Sequence, residues 1–304
     1  IILFIFRQSN HLVKSIKTQF IMLQSSVFLN KPLQKDEIYP SNDIVSLESL
    51  TGMSGRSGYD LAVLSAGKIV NIVSNRYGHL PNEVFFHEVF MKMDETGMEY
   101  DYRAINRNNQ SFALDIILTD QKVRIDVKGT EDEITPMLRF TNSYDGSGQT
   151  SGSFGFFRKV CQNGLHVSHT AIGFKTKHTA NVQSIVLPEI GGLMTKFMDN
   201  EFYTLRRVFE VMYDCVEAKP LDYIKQVCDR SKVFAYHTTP KSTTVSKLAL
   251  SVLDIAEREA IELGTPVNRW LIYNGFNSVI HNDLVRPFRE QATIDARLFE
   301  IMSN

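Results

Sequence analysis

Residues 99–118, EYDYRAINRNNQSFALDIIL, decide the fold. Two stretches with a repeat of two, Glu99 to Ile105 and Phe112 to Leu118, flank the turn-forming RNNQ at 107–110 and read as a β-hairpin. Just upstream the repeat is helical. Pro81-Asn82 opens a helix of about 15 residues in which Phe86, Val89, Phe90 and Met93 fall at i, i+3, i+4 and i+7, and Gly97 closes it. Downstream, 122–128 alternates: Val123, Ile125 and Val127 share one side, Lys122, Arg124, Asp126 and Lys128 the other. Residues 137–143 and 154–161 read as two more strands, 165–175 as another, and 182–187 as a return strand. These segments predict a largely antiparallel sheet of about six or seven strands.

Nearer the start, the Ser-, Gly-, Asp- and Lys-rich residues 30–58 read as a loop or extended arm, 59–66 as a short helix and 68–74 as a strand. After Gly191-Gly192 the pattern is helical, with Leu193, Phe197, Leu205, Phe209, Met212 and Val216 on one face. Further helices are expected over 243–263, 267–281 and, more polar, 286–302. Strands first and helices after is the α+β order. The expectation is one α+β domain over 41–304, sheet-rich at 60–190 and helical at 191–304, behind an N-terminal tail of residues 1–40. The chain opens IILFIF without Met, and Met22 is a candidate start. This apolar run falls far short of the ~20 residues of a membrane span and lacks the features of a signal peptide.

The 304 residues are 43% hydrophobic and 22% charged, enough for a packed core. Lys and Arg number 33 against 34 acids, so a nucleic-acid site, if present, is a local patch. Three cysteines, Cys161, Cys215 and Cys228, form no CxxC pair and no disulfide framework, which points to a reducing cytoplasm. No cofactor motif is present. His166, His169 and His178 lie near Cys161, but positions 166 and 169 point to opposite strand faces, so no metal site is expected.

The stretch 138–179 is the richest in chemistry. NSYDGSG at 142–148 is either a plain hairpin turn or a loop that holds phosphate through backbone N–H groups and Ser hydroxyls. In FGFFRKVC, Phe154, Phe156 and Arg158 share one face, Phe157 and Lys159 the other. One face fills the core; the other, if open, offers stacking rings beside positive charge. Lys122, Arg124 and Lys128, extended by Lys175 and Lys177, form either an electrostatic track or an ordinary solvated face. Trp270, Asn274, Asn277 and His281 make one stripe on a helix, either a bonded seam or part of the groove wall near NSYDGSG.

Several of these motifs together resemble a known family. NSYDGSG (142–148), RKVCQNGL (158–165) and KHT (177–179), with VSNRYGHLPNEVFF (73–86) before and WLIYNGFNSVIHN (270–282) after, resemble the phage/plasmid-like family known as domain of unknown function 932. The resemblance spans about 65–285. The chain departs from the family pattern at Tyr144, where His is common, at Gly164, where Thr is common, and at Gly275 and the shifted His281. The resemblance implies a protein of mobile elements and no established activity.

The leading expectation is therefore a non-enzymatic accessory protein that binds single-stranded DNA in replication, recombination or protection of such an element. The candidate nucleic-acid contacts are Arg124, Lys128, Arg139, Asn142, Tyr144, Asp145, Phe156, Arg158, Lys159, Lys175, Lys177 and His178, with Phe156 or Phe157 stacking on bases. No membrane association is expected, and a homo-oligomer is a candidate state. Rival expectations are a structural or host-factor-binding protein and, behind it, a hydrolase centred on Asp145, Cys161 and His178.

Overall fold

The computed structural model describes residues 40–53, 55, 58–120, 125–126, 133–158, 163–165, 173–199, 204–284 and 287–303. The candidate tail and Met22 lie outside them, as do Lys122, Arg124, Lys128, Lys159, Cys161, His166 and His169.

The first unit is small. β1 (Asn42–Ser46), helix α1 (Leu47–Thr51), β2 (Leu61–Ser65) and β3 (Lys68–Val73) give a three-stranded antiparallel sheet ordered β1-β2-β3. Two expectations fail here. Residues 30–58, expected as a loop or extended arm, contain β1 and α1, and residues 59–66, expected as a helix, contain β2. The reason is the turn. Ala66 and Gly67 both take positive φ, 49° and 73°, which reverses the chain within two residues and pairs LAVLS with KIVNIV.

Helix α2 (Asn82–Thr96) buries Phe85, Phe86, Val89 and Met93 and ends at Gly97 in the left-handed conformation, as its sequence spacing requires. Next come β4 (Tyr100–Arg107), β5 (Ser111–Leu118), β6 (Ile125–Asp126), β7 (Glu133–Ser143), β8 (Thr150–Arg158), β9 (Asn163–Leu165) and β10 (Gly173–Thr176). They form a seven-stranded antiparallel sheet ordered β10-β8-β7-β5-β4, with β6 beside β7 and β9 beside β8. The hairpin of the opening stretch forms one side of it, with β4 at the edge, paired from Tyr100↔Leu118 to Arg107↔Ser111. Asn108 and Asn109 supply the positive φ of its turn, a conformation asparagine tolerates better than most residues.

The C-terminal half is helical: α3 (Val182–Met198), α4 (Thr204–Asp214), α5 (Pro220–Ser231), α6 (Lys247–Glu262), α7 (Arg269–Asn282) and α8 (Phe288–Met302). The expected strand at 182–187 is the first turns of α3. Val182, Val186, Ile190, Leu193 and Phe197 are buried at helical spacing, and that stripe outweighs the cost of Pro188 and of Gly191-Gly192 inside the helix. Val216, expected on the buried face of α4, lies past that helix's end and is exposed. α5 was not foreseen. α8, expected as polar, is amphipathic and buries Phe288, Leu298, Phe299 and Met302.

Antiparallel sheets in the first half and helices in the second make this an α+β protein. Alternation gives the large sheet two unlike faces. The inner face presents Phe112, Leu114, Ile116, Leu138, Phe140, Phe154 and Phe156, all buried. α2 packs there through Phe85 against Phe140, α3 through Phe197 against Phe154, and α4 through Phe209 against Phe156. Phe209 also meets Trp270 of α7, tying the helical half to the sheet. Among the described residues no helix is long and apolar enough to cross a membrane.

Candidate functional site: a polar cleft on the outer sheet face

The outer face carries the opposite chemistry. The strand registers align its side chains in cross-strand rows. Arg107, Ser111 and Ser143 form one row, Ala113, Thr141, Ser151 and Lys175 the next, and Arg103, Asp115, Arg139 and Ser153 a third. Asp115 is fully enclosed and accepts hydrogen bonds from both neighbouring arginines: Arg103 Nη2 at 2.7 Å and Arg139 Nη2 at 2.7 Å. One buried carboxylate thus anchors two guanidinium groups in fixed positions.

The first turn of α8 laps over this face. The Arg107 guanidinium lies 3.8 Å from the centre of the Phe288 ring and donates to Gln291 Oε1 at 3.2 Å. Burial chiefly, and the Arg139 charge beside it, pull Arg107 below its usual range. Sheet and helix leave a cleft of about 40 Å³ between them. Arg139, Thr141, Ser143, Ser151, Ser153 and Lys175 line it from the sheet, Ser147 and Gly148 from the β7–β8 turn, and His281, Arg289 and Gln291 from the helices. That volume holds a few water-sized groups, hence the oxygens of a phosphate, and is too small for a nucleoside. Lys175 and Arg289 are exposed and form no ion pair among the described residues.

The turn itself is built as its sequence reads. Asp145 Oδ1 accepts from Ser147 N at 2.9 Å, Ser143 Oγ accepts from Gly148 N at 3.0 Å, and Gly146 takes φ 75°. The Ser111 and Ser147 hydroxyls are 3.2 Å apart, which fixes the turn over β5.

Behind the cleft, three sequence motifs meet in a buried polar network. Asn142 Nδ2 donates to the Leu80 carbonyl at 3.0 Å and to Asn82 Oδ1 at 2.8 Å. Tyr144 Oη accepts from the Asn82 backbone N–H at 2.7 Å and so satisfies an N-terminal donor of α2. His178 Nδ1 donates to the Gly78 carbonyl at 3.1 Å, since a carbonyl only accepts. Its Nε2 lies 3.2 Å from Thr150 Oγ1, a hydroxyl that donates to Asn142 Oδ1 at 3.0 Å. The His178 ring stacks on Tyr77 at 5.2 Å. A Cβ on Gly78 would lie 1.7 Å from the Thr179 carbonyl oxygen, so this approach requires glycine. Burial lowers the His178 pKa, with His79 adding to the effect, and burial also lowers that of His79, partly offset by its surroundings including Asp43. Burial raises the phenols of Tyr144 and Tyr77 well above their ordinary value.

The expected contacts therefore divide. Arg139, Asn142 and Lys175 belong to the cleft lining, although the Asn142 side chain is held by the network behind it. Lys177 is exposed just beyond β10. Tyr144, Asp145 and His178 hold backbone and turn. Phe156 has no exposed surface and meets Phe154 and Phe209 edge-on. Arg158 is equally enclosed, ion-paired with Glu259 of α6 and 5.8 Å from the Trp270 ring. Phe157, on the outer face between Thr135 and Gly164, is half-buried. Arg124, Lys128 and Lys159 lie outside the described residues. Of the α7 stripe, His281 reaches the cleft and is bonded to Asp295 at 2.9 Å, while Trp270, Asn274 and Asn277 are buried.

Arg107, Arg289 and Gln291 were missed by sequence reasoning. Their signal was weak: Arg107 sits at the edge of a hairpin turn, and Arg289 and Gln291 in a helix read only as polar, far away in the chain. Among the described residues no three His, Cys, Asp or Glu side chains gather as metal ligands.

Fold and cleft thus define an α+β protein with a phosphate-sized polar cleft on the outer face of an antiparallel sheet. Residues 70–200 match the model of a protein family described as a domain of unknown function (DUF932). The three converging motifs fall inside that interval; WLIYNGFNSVIHN lies beyond it. No curated protein and no solved structure matches the chain.

Proposed function

We propose that this protein binds single-stranded nucleic acid, DNA in the first instance, along the outer face of its large sheet, as an accessory factor of a mobile element. The observation that carries the reading is the cleft: a fixed Arg139; Lys175 and Arg289, which form no ion pair among the described residues; and a floor of Thr and Ser hydroxyls, in a space the size of a phosphate. Cations and hydroxyls are the groups that contact the backbone of nucleic acid. Phe157 shares the outer face and the strand of Ser151 and Ser153, which places an aromatic ring in line with the cleft. The mobile-element setting draws only on the resemblance of the motifs.

The test is fluorescence anisotropy with a labelled single strand of about 30 nucleotides and its duplex as control, at several salt concentrations. Binding should weaken with salt and favour the single strand. Lys175→Glu with Arg289→Glu should weaken it at least about tenfold, or 1.4 kcal/mol. Unchanged affinity in that variant would remove the cleft from the reading. A partner-binding role is the second reading, favoured by Ile69 and Ile72, both exposed on the edge strand β3. A pull-down that depends on these two residues would support it, and a homo-oligomer would be its simplest form.

A further inference from the structure

The cleft does not end at α8. A second, wider depression of about 420 Å³ lies beside it, lined by Ser147, Lys232, Val233, Arg289, Glu290, Thr293, Ile294 and Arg297. Ser147 and Arg289 line both spaces, so the two adjoin. On α8, Arg289, Thr293 and Arg297 stand four residues apart, which aligns them along one side of the helix over about 12 Å. Across the groove, Lys232 follows the end of α5 in the left-handed conformation, φ 56°, with its side chain exposed. Arg297 Nη1 donates to the Ser231 carbonyl at 2.9 Å, which fixes that guanidinium at the groove wall. None of Lys232, Arg289 and Arg297 forms an ion pair among the described residues. Among the described residues Glu290 is the one acid in the lining.

The two spaces differ in what they can hold. The cleft fits a phosphate; the groove has the volume of a small-molecule site. Val233 and Ile294 give it apolar surface, and the arginines give it planar cations. An unstacked base needs such surfaces, because it stacks on guanidinium planes and on apolar or aromatic groups.

We propose that the groove is a nucleotide subsite that continues the cleft. In it a single strand held by one phosphate at Arg139 and Lys175 passes over Arg289 and lays its next nucleotides against Val233 and Ile294. Lys232 and Arg297 contact the following phosphates. The proposal rests on the nucleic-acid reading of the cleft and extends it from one phosphate to a directed path, from β10 towards the end of α5.

The experiment measures binding of a labelled oligothymidylate of about 20 nucleotides against salt, for the full chain and for Lys232→Asn with Arg297→Gln. Asn accepts the left-handed backbone of position 232. Each phosphate contact to a single strand contributes about 0.7 to the slope of log K against log salt, so losing two should reduce the slope by about 1.4. A second variant, Thr293→Glu, leaves the Arg297 bond to α5 intact and places a negative charge in the middle of the groove. It should weaken binding of the same probe about tenfold at low salt, with an unchanged melting temperature. If the unaltered chain binds and both variants bind with its slope and affinity, the groove is not part of the site and the cleft reading stands alone. If the unaltered chain does not bind at low salt, both fall together.

Discussion

The two faces of the large sheet are made by the same strands and could hardly differ more. On β7, Leu138 and Phe140 point into the core while Arg139 and Thr141 point to the cleft; on β8, Phe154 and Phe156 oppose Ser151 and Ser153. The inner face is closed by α2, α3 and α4 and stabilises by area, roughly 1.5–3 kcal/mol for each large apolar side chain buried. The outer face is held by bonds to a single buried carboxylate, Asp115, and is left partly open by α8. One face therefore tolerates no loss of volume. The other tolerates many changes except at its anchor. A ligand site fits the second, since it keeps polar groups fixed without covering them.

The comparison breaks most sharply at the anchor. Asp115→Ala should cost about 3–5 kcal/mol in urea unfolding, because it leaves the nearly enclosed Arg139 without its partner and facing Arg103. A loss below about 1 kcal/mol would show that the outer face is not organised by this carboxylate. A pair on adjacent strands then sharpens the contrast. Leu138→Ala should cost about 2–5 kcal/mol as an inner-face cavity, whereas Ser153→Ala on the outer face should stay within about 0.5 kcal/mol. Equal effects would erase the distinction between the faces.

The smallest effect is that of pH. His79 and His178 have native pKa values below the ordinary 6.5, both chiefly from burial. Lowered native values mean that the unfolded chain binds protons first as pH falls. Their contribution is fully present above about 6.5 and is lost as pH drops through the native values. The urea midpoint should therefore fall between pH 7.5 and 5.5, and less so in His178→Gln. A midpoint equally sensitive in that variant would assign the effect to other groups.

The sequence exposed the inner face well and the site poorly. Phe86, Val89 and Met93 of α2 and the hairpin of 99–118 follow from local periodicity, and both stand in the structure with the expected boundaries near Gly97 and RNNQ. Errors arose where periodicity is short or where burial overrode it. LAVLS is too brief to separate strand from helix, and VQSIVLPEIGG reads as broken although its apolar stripe carries α3 through Pro188. At the site, Arg139 and Lys175 were named from their charge within the stretch 138–179. Arg289 and Gln291 were not, because nothing near them in the chain points to a sheet more than a hundred residues away.

By itself the sequence determined the strand-rich first half and helical second half, the two-sided strands and the turn at NSYDGSG, because side-chain alternation and turn propensity are properties of neighbouring residues. Only the tertiary structure decided which charges are available. Arg158 reads as a surface cation from its strand, yet Glu259, 101 residues away, meets it inside the core. Lys175 and Arg289, equally plain in sequence, face a cleft with no carboxylate paired to them among the described residues. A charge is neutralised or left open by groups brought within a few ångströms by folding, and that proximity is not written in any local pattern.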